Sequence, residues 1–84
     1  MSNENAPLKL FVSFPEELVE QPMIYELVKR FDVVPNLRRA NVEAHSGWMI
    51  LELSGAPDAR DAAIAYLEGL GCTVNRMEGD VVAG

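Results

Sequence analysis

His45 and Cys72 are the sole histidine and the sole cysteine of this sequence, and so its first candidates for nucleophilic or metal chemistry. A zinc site needs three or four ligands. One imidazole and one thiol on separate segments do not supply them. His45 sits beside Ser46-Gly47, a tight hairpin signal, and reads as a solvated turn residue. Cys72 follows a helix-stop glycine with no cationic neighbour to lower its pKa, so it reads as a small buried apolar residue. The carboxylates Glu16, Glu17 and Glu20 lack the regular oxygen spacing and sharp glycine turn of a calcium loop. No glycine-rich phosphate loop is present. The expectation is a protein with no catalytic residues, no metal site and no cofactor, and hence not an enzyme.

The elements that must position everything else follow from hydrophobic periodicity. Leu8, Leu10, Val12 and Phe14 alternate with Lys9, Phe11 and Ser13, which predicts a half-buried strand closed by Pro15. Pro22 suits the first turn of a helix, and Ile24, Leu27, Val28 and Phe31 recur at helical spacing behind it. Asp32 to Pro35 read as the helix end. Asn36 to His45 read as a second strand, with Ala40, Val42 and Ala44 on one face. Arg38 breaks the alternation, so a bulge or a late start is expected there. Trp48 to Leu53 form a third strand with Met49, Leu51 and Leu53 inward. Gly55 to Asp58 start a second helix whose stripe is Ala59, Ala63, Leu67 and Leu70. Gly71 stops it, and Cys72 to Glu78 form a fourth strand. The order β-α-β-β-α-β predicts an α+β, ferredoxin-like fold, with a four-stranded antiparallel sheet and both helices on one face. The expected core is Leu10, Val12, Phe14, Ile24, Leu27, Phe31, Leu51, Leu53 and Leu67.

In that fold the other face of the sheet meets water. Phe11, Trp48 and Ile50 fall there, with Met77 if the fourth strand stays in phase. An aromatic pair with an isoleucine alongside is a cluster rather than scattered exposure, and predicts an interface. Scattered apolar residues are, however, normal on surfaces. With 84 residues the chain buries a modest share of its surface, and this together with outward Phe11, Trp48 and Ile50 favours pairing as a homodimer. A net charge of -6 argues against a nucleic-acid partner and an anionic membrane surface. No apolar run is long enough to insert into a bilayer. The polar start, without a cationic and then apolar region, gives no sign of a secretory leader, and the expected location is cytoplasmic.

Gln21-Pro22-Met23-Ile24-Tyr25-Glu26-Leu27-Val28-Lys29-Arg30-Phe31, followed by Val34-Pro35-Asn36-Leu37, resembles the NIL domain. So does Leu51-Glu52-Leu53-Ser54-Gly55 with its Ala-rich helix, Leu-Gly turn and closing strand. The NIL domain is best known as the C-terminal regulatory domain of the methionine-importer ATPase. The resemblance implies a stand-alone regulatory module over residues 8–78, with tails at 1–7 and 79–84. It implies a small amino-acid ligand, methionine or a related sulfur amino acid, and a transporter or sulfur-metabolism partner. The family's Asn-Ile-Leu signature falls on Asn36, Leu37 and Arg38, which become the expected ligand-binding residues, with Arg38 in place of an apolar one. Arg38 and Arg39 are candidates for a carboxylate clamp. The alternative is a protein-interaction or assembly module that uses the open sheet face without a metabolite. Amino-acid sensors of the ACT type are the next resemblance, but their glycine-containing turn is missing from Pro15-Glu16-Glu17-Leu18.

Overall fold

The computed structural model describes residues 6–18 and 22–77. Strand β1 spans Leu8–Pro15, and a single 3-10 turn, Glu16–Leu18, drops Leu18 into the core. Helix α1 spans Met23–Arg30, with Pro22 as its N-cap rather than within its first turn. Strands β2 and β3 run Val33–Val42 and Ser46–Gly55. Helix α2 spans Pro57–Leu70, and β4 closes the fold at Thr73–Arg76. Pro57 opens α2, where a missing N–H costs nothing. Gly71 ends it in the left-handed region at φ 111°, and the Cys72 N–H donates back to the Leu67 carbonyl at 3.1 Å.

The sheet order is β2-β3-β1-β4, and every neighbouring pair is antiparallel. This is the ferredoxin-like arrangement expected from the element order. One set of strand positions, including Leu10, Val12, Phe14, Met49, Leu51 and Leu53, is buried with Leu27, Ala63, Ile64 and Leu67 of the helices. Both helices therefore cover one face and leave the other open.

Three details depart from the periodicity. First, β2 begins at Val33, inside the segment read as a helix end. Phe31 is already extended, and the buried Val33 pairs with Gly55. Pro35 is compatible with this because β2 is an edge strand. Second, the inward face of α1 is turned toward Met23 and Leu27. Ile24 and Phe31 only flank the core, and Val28 is 53% exposed. Third, Ala40 and Val42 do share the helix-side register, opposite Met49 and Gly47, but neither is buried. No helix among the described residues reaches over this end of β2, and Val42 stays 56% exposed. Leu70, at the last turn of α2, is likewise exposed. The irregularity expected at Arg38 is present as a register shift between Leu37 and Arg39. Of the expected tails, residues 1–5 and 79–84 lie outside the described residues.

Candidate functional site on the open sheet face

Strand register arranges the open face in rows. Across β1, β3 and β2, Lys9 faces Glu52 and Asn36; Phe11 faces Ile50 and Arg39; Ser13 faces Trp48 and Asn41. On the other side of β1, Asn75 extends the Phe11 row and Thr73 the Ser13 row. The Met77 N–H donates to the Lys9 carbonyl at 2.8 Å, so Met77 continues the β4 register by one residue, one row from Phe11.

Phe11 and Trp48 are diagonal neighbours and stack, with ring centroids 5.4 Å apart and planes within 19°. Ile50 sits directly across from Phe11. These three half-buried residues form one apolar patch at the centre of the face. The signature residues divide between the two faces. Asn36 lies on the open face opposite Glu52, while Leu37 lies opposite Leu51 on the helix side. The Arg38 guanidinium approaches the Glu52 carboxylate at 3.9 Å. The structure thus places Asn36, Arg38 and Arg39 along the β2 border of the apolar patch.

A depression of about 360 Å³ opens at the end of the Ser13 row, lined among others by Ser13, Asn41, Glu43, Trp48 and Thr73. None of Asn36, Leu37 and Arg38 lines it. Periodicity shows Ser13 facing outward, but only the register puts Thr73 beside it and Asn41 in the same row beyond Trp48. A second groove of about 250 Å³ separates the helices, bordered by Met23, Glu26, Arg30 and Tyr66. Arg30 closes it by bonding Glu26 at 2.8 Å while lying 5.1 Å over the Tyr66 ring. Glu26 and Tyr66 together raise the Arg30 pKa.

His45 is largely exposed, with Nδ1 3.3 Å from a Glu16 carboxylate oxygen that is itself exposed. Cys72 is buried, and its thiol donates to the Met23 sulfur at 3.7 Å. Burial raises its pKa. The folded thiol holds its proton to higher pH than the unfolded one. The associated stability is therefore complete below the ordinary thiol pKa and is lost as pH rises through the raised value. The expected result is that iodoacetamide labels Cys72 at neutral pH only after denaturant is added; rapid labelling of the native protein, followed by mass spectrometry, would contradict this burial. Among the described residues, no group of three or more His, Cys, Asp or Glu could hold a metal ion. No helix among them is long and apolar enough to cross a membrane.

The model of the NIL domain matches residues 10–76. The chain is a member of the NIL domain family. Among solved structures, this NIL domain is similar to a crystal structure of the C-terminal domain of an ABC transporter ATP-binding protein from Enterococcus faecalis. The TM-score is 0.74 at 20% identity, over 86% of this chain and 84% of that one. A comparison with curated proteins finds no match.

Proposed function

We propose that this NIL domain is a non-catalytic regulatory module. It works in the cytoplasm as a homodimer, and it binds a small amino acid whose side chain is apolar, with methionine or a related sulfur amino acid as the first choice. The observation that carries this reading is the adjacency of β2 polar groups to the stacked Phe11–Trp48 pair and Ile50. The Asn36 amide and the Arg38 guanidinium suit a carboxylate. Leu37 stands on the far side of the same strand. Aromatic faces and an isoleucine suit a thioether chain. The relationship to a transporter ATPase domain supports regulation of a transporter or of a sulfur-metabolism protein. Phe11, Trp48, Ile50 and Met77 make up the protein-contact surface.

Titration calorimetry with methionine, homocysteine and cysteine tests the reading. A hydrogen bond to a charged group is worth about 1.5–3 kcal/mol, so Asn36→Ala is expected to weaken binding by roughly tenfold to a hundredfold. Asn36 is exposed, so its melting curve should not move. Unchanged affinity would remove Asn36 from the site. Absence of heat with all three amino acids would favour the second reading, a protein-interaction module that uses the open-face patch alone, for which the Phe11–Trp48 stack is the specific support.

A further inference from the structure

We infer that two copies of this chain join through the outer edge of β2, in one register centred on Asn41, making a continuous eight-stranded sheet. The pairing presupposes the homodimer proposed above and specifies how it is built. β2 is ten residues long and lies at the border of the sheet, with its outer hydrogen-bonding edge unpaired among the described residues. From Asn36 to Val42 every residue is exposed. Such an edge is a template for another strand unless something blocks it.

Symmetry restricts the register. Two identical strands related by a two-fold axis pair antiparallel, and directly opposite residues either both point their N–H and C=O groups at the partner or both point them away. Consecutive residues of a strand differ in that direction. The axis must therefore pass through a residue, never between two. An axis at Arg38 or at Arg39 sets that cation against its own copy. An axis at Ala40 sets Arg39 against Asn41 and Glu43 against Leu37. An axis at Asn41 sets Arg39 against the partner's Glu43, and the partner's Arg39 against Glu43. It also sets Ala40 against the partner's Val42 on the helix side, and the two Asn41 amides against each other. Axes at Asn36, Leu37 and Val42 bring no opposite charges together. Of the axes through the exposed stretch from Asn36 to Val42, only the one at Asn41 brings opposite charges together.

Both charges are available for this. Arg39 forms no ion pair among the described residues, unlike Arg38, which approaches Glu52. The Glu43 carboxylate accepts one hydrogen bond, from the Asn41 side-chain amide at 3.1 Å, and is otherwise exposed. The bulge between Leu37 and Arg39 borders the paired stretch rather than interrupting it. Val42, which no helix among the described residues covers, gains a neighbour in the partner's Ala40. In the joined sheet the two open faces lie on the same side, and the Phe11–Trp48–Ile50 patch of each copy is left uncovered by the pairing.

Sedimentation velocity and equilibrium on the full chain test the register by charge exchange. R39E and E43R, each alone, place like charges in both symmetric pairs and are expected to raise the dimer dissociation constant by about tenfold or more. The double variant R39E/E43R restores opposite charges and is expected to return the dissociation constant to within about threefold of the parent. Circular dichroism melts establish that each variant is folded. A parent that stays monomeric at high micromolar concentration overturns the homodimer and the register together. A dimer untouched by either single reversal, or one dissociated by Trp48→Glu instead, overturns the β2 register and leaves the homodimer standing. Single variants that dissociate without rescue in the double also overturn it.

Discussion

Leu51→Ala is expected to lower the thermal midpoint by something on the order of 10–30 °C. Leu51 is 0% exposed in β3 and stands between Leu10 of β1 and Leu37 of β2. Truncating such a leucine costs about 2–5 kcal/mol, from lost transfer energy plus the cavity left behind. Domains carry roughly 0.05–0.15 kcal/mol of stability per residue, so a domain of this size has about 4–13 kcal/mol in total. In a small domain each 1 kcal/mol moves the midpoint by about 4–8 °C. The internal control is Leu37→Ala in the same cross-strand row. Leu37 is 53% exposed, and its truncation should change stability by less than about 1 kcal/mol. Paired melts of the two variants read the difference directly. Equal losses would mean that β2 is covered on its helix side, against the observed exposure.

Gly55→Ala is the second large effect. Gly55 ends β3 at φ 141°, a region L-residues rarely adopt, and an added Cβ would lie 2.8 Å from the Asp32 carbonyl oxygen. That oxygen belongs to the backbone leading into β2, so it cannot swing aside as a side chain would. The expected loss is about 1–3 kcal/mol from the backbone conformation, with the close contact adding to it. Gly69 is the matched contrast. It lies within α2, where an added Cβ would meet nothing within 4 Å, so Gly69→Ala should gain about 0.4–1 kcal/mol. Urea titrations of both variants at one protein concentration would show opposite shifts of the midpoint; a loss at Gly69 or a gain at Gly55 would contradict the geometry.

The contrast between Leu51 and Leu37 also marks how far a linear reading carries. Both are leucines on strands, and both face the helix side. Periodicity identifies the side a residue faces, because strand side chains alternate. It does not say whether anything lies on that side. The inner strands and α2 were legible for this reason: Leu10, Val12, Phe14, Leu51 and Leu53 of the strands are buried in one core with Leu67 of α2. Helix α1 was less legible, because an eight-residue helix offers several adjacent stripes, and the packing chose Met23 and Leu27 over Val28.

For the site, sequence by itself determined the composition of the open face. Phe11, Trp48 and Ile50 are outward by alternation, and the order of elements places β1 beside β3, so their closeness was already implied. It also determined the irregularity at Arg38, because a cation interrupts an alternating strand there. Tertiary structure alone decided which polar residues border the patch. The early start of β2 at Val33 and the bulge after Leu37 together set the register that puts Asn36 opposite Glu52, Arg39 opposite Ile50 and Asn41 opposite Trp48. A shift of one residue would have sent each to the other face. Tertiary structure also decided that the far half of β2 stays exposed, with no helix among the described residues over it, because helix length and crossing position are set by the packing of the whole core rather than by any local pattern.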